Sequence, residues 1–547
     1  MPILREVRRV LLVLCALLSL LAAAPAAHAA LAWPSPTLQI GVDDEEGGAA
    51  ALRASAPFGV RYHYLAGGVN TGQSWQGWAT GGGSFVSSFI ADSTANGMIP
   101  VFSYYELRQS RPGAGQSDEQ QAVVGNLADR DTMRAWFEDL KVFFQKAGES
   151  GTPVVLQVEP DLWGYVQRQG GDDAAAVPAQ VAATGMPDLR ALPDTAAGVA
   201  QGVRRLRDTY APNVRLGYQV SIWGTGKDIA VSNEGDEAVD ALAARSVHFY
   251  RSLHTPFDTV FFEFADRDSG YAVKRDGRSA DAAWWDAADF ARFARYIGDV
   301  HAKLARPIVL WQIPLGNTLY RAMDDSPHHY ADNRVQWLLG GASREHLKPF
   351  LDAGVVALLF GSGQGDGTCA CDAARDGVTN PPPNGTATRE SLSADDDGGY
   401  FRSRVNAYYQ AGALPIPATT PAPPRAGKQP TRIPATLRHP GRFSTRAKVD
   451  RKVVRRGGSV RIRAAVRPTK SQRALVSIEV YRDGTQVFQR YFDHAVLRRG
   501  RARSFSATWK VGQDAAPGDY VVKLGVFAPG FDGLRSWNDH AARLRVD

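Results

Sequence analysis

Carboxylates stand at the ends of two apolar segments in this sequence. Glu159 and Asp161 follow the uncharged segment Pro153–Val158, and Glu263 lies among phenylalanines near the end of a second apolar segment, residues 259–264. Two carboxyl groups on either side of one bond can share acid–base work. One donates a proton to the leaving oxygen, while the other, ionised, attacks or activates water. The residue types therefore predict acid–base hydrolysis at the ends of two strands.

Each acid has a predicted role. We predict that Glu159 is the general acid or acid/base and that Glu263 is its counterpart, since desolvation among phenylalanines would keep a carboxyl protonated. Asp161, Asp266 and Asp268 are predicted to be supporting or substitute acids. The alternative is that Glu159 and Glu263 are buried structural acids paired with arginines.

Aromatic rings and amides lie around the same strand ends. Sugars present apolar C–H faces that stack on flat rings, while their hydroxyl groups need hydrogen-bonding side chains. Gln312 can hydrogen-bond a sugar but cannot act as a nucleophile. We predict a substrate-binding set made of Tyr64, Trp163, Gln219, Trp223, Asp268, Trp311, Gln312 and Asn317.

These residues need a scaffold that brings strand ends together. Apolar segments predict eight strands: 38–42, 60–64, 99–104, 154–158, 215–220, 259–264, 308–312 and 355–360. Residues between them show helical spacing, as in 133–145 and 284–304. The pattern predicts an α/β fold, a (β/α)8 TIM-type barrel over residues 30–413, whose site lies at the C-terminal strand ends. An open doubly wound sheet is the alternative, but no G-x-G-x-x-G follows the first strand, which also argues against nucleotide binding.

The sequence after the barrel changes character twice. Residues 414–441 are rich in Pro, Thr and Ala and have no apolar period, which predicts an extended linker. Residues 442–547 alternate polar and apolar side chains around an Asp483-Gly484 turn. This pattern predicts a small all-β sandwich of the immunoglobulin-like or carbohydrate-binding type.

The predicted sandwich is strongly basic. Residues 443–547 contain 22 Lys and Arg against 9 Asp and Glu, although the whole chain has a net charge of only +7. A basic module of this kind can hold a glycan, an acidic polysaccharide or the anionic cell envelope, and we favour these partners over nucleic acid. The alternative is that the arginines are solvated and have no partner.

The N-terminal residues have the pattern of a secretory signal peptide. Arg5, Arg8 and Arg9 precede an apolar run, residues 10–24, and Ala27-His28-Ala29 supplies a cleavage pattern. We therefore predict a signal peptide over residues 1–29 and a secreted protein, extracellular or periplasmic. No later segment approaches about 20 consecutive apolar residues, so we expect no transmembrane segment in the mature chain.

Cysteine and histidine provide little evidence for a metal. The predicted mature chain has only Cys369 and Cys371, which we expect to form a local loop staple or to be free thiols. His328 and His329, with aspartates nearby, leave open a metal-dependent hydrolase or deacetylase. We predict no metal site and no cofactor.

Short motifs resemble those of secreted bacterial (β/α)8 glycoside hydrolases. Val158-Glu159-Pro160 is similar to the Asn-Glu-Pro of a large retaining clan in which the Glu is the acid/base, but Val158 replaces the Asn. Gln312 stands where that clan has its nucleophilic Glu. Glu159-Pro160-Asp161 looks like the Glu-Pro-Asp of family 6 cellulases, and acids on strands four and six are similar to the α-galactosidase clan. The resemblance implies the superfamily and no specific family.

The combined expectation is a secreted glycoside hydrolase that cleaves a polysaccharide, neutral or acidic, with paired carboxylates. The rival from another class is a non-catalytic carbohydrate-binding or envelope-associated protein built on the same barrel. The separation of the carboxyl groups distinguishes the two, because hydrolysis needs an acid pair across the barrel mouth.

Overall fold

The computed structural model describes residues 31–417 and 443–547, apart from residues 266, 321, 342–343, 362, 364, 376, 378–394, 483–484, 514 and 528–533. The predicted signal peptide and most of the predicted linker lie outside the described residues. The chain divides into two compact units, Met1–Pro421 and Ala422–Asp547. The predicted linker begins within the first unit, because the N–H of Leu38 donates to the carbonyl of Leu414 at 2.8 Å.

Eight parallel strands close into a barrel in the first unit. Each strand pairs with the next, and the eighth pairs with the first, through Gln39↔Ala357 and its neighbours. This arrangement confirms the predicted (β/α)8 barrel. The strands are β1 Gln39–Asp43, β2 Val60–Ala66, β3 Ile99–Tyr105, β4 Val154–Val158, β5 Val214–Val220, β6 Thr259–Glu263, β7 Ile308–Ile313 and β8 Val355–Phe360.

Helices connect the strands and cover the outside of the barrel. The longest is α4, whose apolar positions at helical spacing include Trp136, Phe137 and Leu140, all buried. The helices are α1 Ala49–Ser55, α2 Ser84–Ala95, α3 Glu119–Ala128, α4 Arg130–Ser150, α5 Leu162–Gly170, α6 Ala196–Tyr210, α7 Asp236–Ser252, α8 Ser269–Lys274, α9 Ala280–Ala283, α10 Ala287–Leu304, α11 Arg334–Leu339, α12 Lys348–Asp352 and α13 Tyr400–Gln410.

The interior of the barrel is packed with alternate strand residues. Val101, Val155, Phe261 and Val309 belong to one buried apolar cluster. Gly217 on β5 makes room for this packing, because a Cβ atom at Gly217 would stand 2.4 Å from the Phe261 ring. The barrel is therefore closed by side chains below its C-terminal mouth.

The second unit is a β-sandwich-like pair of sheets, as predicted. The strands are β9 Phe443–Val449, β10 Val453–Val454, β11 Ser459–Pro468, β12 Gln472–Arg482, β13 Thr485–Leu497, β14 Arg503–Lys510, β15 Gly518–Phe527 and β16 Leu534–Val546. One sheet has the strand order β10-β16-β15-β12-β13, and the other has the order β14-β11-β9. Asp483 and Gly484 lie outside the described residues, but the strands on either side of them, β12 and β13, pair antiparallel.

Two further features bear on the predictions. Cys369 and Cys371 form a disulfide, so the pair is a local loop staple. Among the described residues, one group of three potential metal ligands comes together: Cys369, Cys371 and Asp396. The disulfide already uses the sulfur atoms of both cysteines.

None of the described helices combines the length and apolar character needed to span a membrane.

Candidate active site

A cavity of about 570 Å³ lies at the C-terminal ends of the barrel strands. Its wall includes Tyr64 from β2, Tyr105 from β3, Glu263 from β6 and Gln312 from β7. Asp161, directly before α5, lines the same cavity. The C-terminal strand ends are where a (β/α)8 barrel carries its active site, so this cavity is the candidate site.

Asp161, three residues after the end of β4, is the first carboxylate of the cavity. It stands immediately before α5 but accepts no capping hydrogen bond from that helix, which leaves its carboxylate directed elsewhere. Burial raises the pKa of Asp161 to about 6, while a hydrogen bond from Tyr105 and the charges of Arg108 and Arg267 oppose that rise. At neutral pH the group is mostly ionised.

Glu263 is the second carboxyl group of the cavity. It follows Phe261 on the same face of β6, because alternate residues of a strand point to the same side. Burial raises the pKa of Glu263 to about 8, and the negative charges of Asp161 and Asp228 add to that rise. At neutral pH Glu263 is therefore mostly protonated, whereas Asp161 is mostly ionised.

Charged groups from the loops surround this pair. Asp228, from the loop after β5, and Arg278, between α8 and α9, both line the cavity, as does Arg267. The two arginines lower the pKa of Glu263, although burial and the two aspartates outweigh them. The cavity therefore contains positive charge close to its acids.

Aromatic rings form the walls of the cavity. Tyr165 and Trp223 stand with their ring centroids 4.8 Å apart, and Tyr64 and Trp311 stand 5.7 Å apart. The side-chain amide of Gln312 donates a hydrogen bond to the Tyr64 hydroxyl. The Trp311 indole N–H is buried and has no partner among the described residues. Flat rings beside hydrogen-bonding groups suit a sugar.

Glu159 lies outside this cavity, contrary to prediction. Its φ of 47° is in the left-handed region. Val155 and Gln157 are directed into the barrel, and continued alternation would have carried Glu159 into the mouth. The positive φ ends this alternation and turns the side chain toward α4. The prediction that Glu159 and Glu263 face each other across the mouth is therefore wrong.

The contacts of Glu159 are those of a structural acid. Its Oε1 accepts hydrogen bonds from the Trp136 indole at 2.7 Å and from the backbone N–H groups of Glu106 and Leu107 at 3.1 and 2.9 Å. The side chain is 1% exposed, and burial raises its pKa to about 7. Neutral N–H donors hold Glu159, rather than the arginine that the structural alternative had predicted.

Two further buried acids stand near Glu159. Asp139 on α4 accepts hydrogen bonds from the Tyr104 hydroxyl and the Trp75 indole, both at 2.7 Å. Glu106 accepts from the N–H of Gly68, while its Oε1 has no partner among the described residues. Burial, together with the charges of Asp139 and Glu159, raises the pKa of Glu106 to about 9. We name Glu106, Asp139 and Glu159 the buried acid cluster.

Two predicted sugar-binding residues belong to the barrel core. Trp163 is fully buried, where its indole donates to the carbonyl of Val158 at 2.8 Å and its ring packs on Tyr218. Gln219 is buried inside the barrel and accepts a hydrogen bond from Gln157 at 2.8 Å. The structure does not bring Trp163 and Gln219 to the cavity wall, because packing and hydrogen bonding within the core occupy both side chains.

Asn317 and Asp268 hold loops together and do not line the cavity. The Asn317 amide donates to the carbonyl of Asp397 at 2.8 Å, and both residues are fully buried. Asp268, also fully buried, accepts from the N–H groups of Gly316 and Thr368, each at 3.0 Å. The structure therefore does not place either residue where it was predicted to contact substrate. Asp266 lies outside the described residues.

Four predicted site residues besides Asp161 and Glu263 do line the cavity: Tyr64, Trp223, Trp311 and Gln312. Sequence reasoning missed Asp228 and Arg278, which stand in loops with no strand to mark them. The signal for Asp228 was its position only five residues after Trp223, itself a predicted site residue. Arg278 carries no comparable signal.

His328 and His329, the possible metal ligands in the sequence, do not line the cavity. The Nδ1 atom of His329 is 3.1 Å from the carbonyl oxygen of Asp396. The backbone N–H of His328 donates to the carbonyl of Asp366 at 2.8 Å. Neither belongs to a group of three potential metal ligands in the described part of the chain. The geometry does not assemble the histidine-based metal site that the sequence left open.

Neither a known protein family nor a curated protein matches the chain. Solved structures are similar to it at low identity. A modular endo-β-1,4-mannanase of glycoside hydrolase family 26 from Cellulomonas fimi is 12% identical, with 92% of this chain and 94% of the mannanase covered and a TM-score of 0.38. A calcium-binding mutant of β-glucuronidase 2 from Bacteroides uniformis is 10% identical, with 94% of this chain and 46% of that one covered and a TM-score of 0.32. These similarities are too weak to assign a function to this chain.

Proposed function

We propose that this protein is a glycoside hydrolase in which Glu263 is the general acid and Asp161 is the ionised carboxylate. The observation that carries the proposal is one cavity, at the C-terminal strand ends, that is lined by two acids with different pKa values. The pKa of Glu263 is raised to about 8 and that of Asp161 to about 6. Pairs of acids separated in this way can supply one proton donor and one base at neutral pH.

The proposed reaction uses each acid in its neutral-pH form. Glu263 gives its proton to the glycosidic oxygen as the bond to the anomeric carbon breaks. Asp161 either attacks that carbon or takes a proton from the water that does, and in both cases one water is consumed for each bond cleaved. The anomer that forms first, read by proton NMR, distinguishes the two routes.

The walls of the cavity position the sugar in this proposal. Trp223 offers a flat surface for C–H faces, and Gln312 supplies polar contacts for hydroxyl groups. The proposed substrate is a polysaccharide. Export of the enzyme is part of the proposal and rests on the signal-peptide pattern of residues 1–29.

The test is a polysaccharide screen followed by variants of the two acids. The full-length protein is assayed for release of reducing ends from a panel of neutral and acidic polymers. On an active polymer, we expect E263Q and D161N each to lower kcat by about 10²-fold or more, since a positioned acid or base contributes that much. E159Q is the matched control and should keep its activity within about twofold, because amide and carboxylate oxygens accept the same hydrogen bonds.

The outcomes separate the proposal from its rivals. Full activity in both E263Q and D161N would show that these acids do not carry the reaction. Loss of activity in E159Q alone would return the catalytic role to the buried acid cluster. Tight binding of a polymer without release of reducing ends would favour the non-catalytic carbohydrate-binding protein.

A further inference from the structure

One face of the β-sandwich unit is rich in exposed basic side chains. On β11, Val460, Ile462 and Ala464 are buried, so the alternating residues Arg461 and Arg463 are exposed on the outer face. The same alternation exposes cations of β9 and β14, the two strands that pair with β11. We name this surface the basic face; its cations are Arg446, Lys448, Arg461, Arg463, Arg467 and Lys510.

The strand register places these cations in rows. Arg463 stands beside Lys448 of β9 on one side and beside Ser506 of β14 on the other. Along β11 the side chains on this face recur about 7 Å apart, since a strand rises about 3.4 Å per residue. The basic face therefore spreads its six cations over three paired strands, with Arg463 and Lys448 side by side.

The basic face includes one acidic residue, Asp450, whose carboxylate accepts a hydrogen bond from the backbone N–H of Arg461 at 2.8 Å. The six cations outnumber it. Between the cations stand small hydroxyl residues, among them Ser444, Ser504, Ser506 and Thr508, all exposed. Among the described residues, none of the ion pairs involves Lys448, Arg461 or Arg463 through its side chain. Charges held this close repel one another, so an anionic partner would be attracted to this face.

We propose that the basic face binds an anionic polysaccharide. Carboxylate or sulfate groups along the polymer pair with the rows of arginine and lysine, and the serine and threonine hydroxyls bond the sugar hydroxyls between them. The face is a sheet surface without a pocket, which suits an extended polymer better than a small ligand. The inference rests on the sandwich alone and holds whether or not the barrel hydrolyses glycosidic bonds.

Two other anionic partners fit this surface less well. None of the described outward positions on β9, β11 and β14 carries an aromatic side chain. The basic face therefore lacks the stacking platforms that single-stranded nucleic acid uses. Ala465 is the apolar residue among these positions, which leaves nothing to insert into a lipid bilayer. The hydroxyl-rich composition favours a sugar polymer.

The experiment uses the full chain in the E263Q background, so that the polymer stays intact. The triple variant K448S/R461S/R463S removes three exposed charges from the basic face. The matched control, R473S/R543S/R545S, removes three exposed arginines from the five-stranded sheet of the same unit. Binding is measured by isothermal titration calorimetry against polygalacturonate, its carboxyl-reduced counterpart, duplex DNA and anionic phospholipid vesicles.

We expect polygalacturonate to bind, its carboxyl-reduced counterpart to bind at least about tenfold more weakly, and affinity to fall as salt rises. The basic-face variant should lose about tenfold or more in affinity, and the control variant about twofold or less. Three results would overturn the proposal: no binding of polygalacturonate, equal losses in the two variants, or tighter binding of DNA or vesicles than of the polysaccharide. Circular dichroism of both variants checks that the sandwich remains folded.

Discussion

At the scale of single residues, the backbone decides which acid reaches the cavity. Only Pro160 separates Glu159 from Asp161, yet Glu159 is directed toward α4 and Asp161 toward the cavity. The difference follows from the positive φ at Glu159, which interrupts the alternation of β4. A glutamate rarely adopts this conformation, so the sequence alone predicts the ordinary alternation and places Glu159 in the barrel mouth.

The separation of the two cavity pKa values predicts a bell-shaped pH profile. On an active polymer, kcat/KM should rise as Asp161 ionises near pH 6 and fall as Glu263 loses its proton near pH 8. Because the Asp161 charge raises the pKa of Glu263, D161N should move the falling limb of any residual activity to lower pH. If the falling limb of the D161N profile stays at the wild-type pH, the charge of Asp161 does not raise the pKa of the group that gives this limb. E159Q serves as the control with the wild-type profile.

The buried acid cluster predicts a second pH effect, on stability. Burial raises the pKa of Glu106 from 4.5 to about 9, so between these values the folded state holds a proton that the unfolded state has lost. The contribution of Glu106 to the free energy of unfolding is therefore fully present below about pH 4.5. It falls as pH rises, by up to roughly 1.4 kcal/mol per pH unit. E106Q, which stays uncharged, should flatten the dependence of the free energy of unfolding on pH between 5 and 9.

Urea unfolding at several pH values measures this effect. E138Q, at an exposed position of α4, is the control and should show the pH dependence of the wild type. If E106Q and the wild type lose stability equally between pH 5 and 9, Glu106 is ionised in the folded protein and the cluster does not hold its proton.

At the scale of elements, the strands were predictable because the barrel buries both of their faces. β4 and β8 have the predicted bounds, and β6 differs by one residue. Long apolar runs without charges mark such strands in any sequence. The loops were not predictable to the same degree, since Asp268 and Asn317 acquire their partners from segments 48 to 100 residues away. Such distant contacts leave no local pattern.

The C-terminal end of α10 predicts a stabilising substitution. Ala305 follows the helix with a φ of 52°, a left-handed conformation that glycine adopts more readily than alanine. Its side chain is exposed, so removing the methyl group loses no core packing. We expect A305G to raise the free energy of unfolding by about 0.5–1 kcal/mol.

The same helix offers a matched control. Ala302 is also exposed but lies within α10, where glycine is unfavourable. A302G should lower the free energy of unfolding by about 0.5–1 kcal/mol, so the two variants should move in opposite directions in urea titrations. A loss of stability in A305G would show that the left-handed turn is not strained by its alanine.

At the scale of the whole molecule, the composition of the sequence predicted the division of the chain into two units. The change from long apolar segments to alternating, arginine-rich strands separates a barrel sequence from a sandwich sequence. Each unit has buried residues of its own: Leu310 belongs to the barrel core, and Ile462 belongs to the sandwich core. Which face of the sandwich carries the basic array was not predictable, because it depends on strand register and sheet pairing.

Separate cores predict separate unfolding transitions. I462A removes a fully buried side chain from the sandwich and should lower the stability of that unit by about 2–5 kcal/mol. L310A should do the same to the barrel, so scanning calorimetry should show each variant lowering one transition and leaving the other in place. The sandwich is large enough to bury a core of its own, which is why we expect its transition to be cooperative. If either variant lowers both transitions together, the two units unfold as one, and the basic face and the cavity belong to a single cooperative structure.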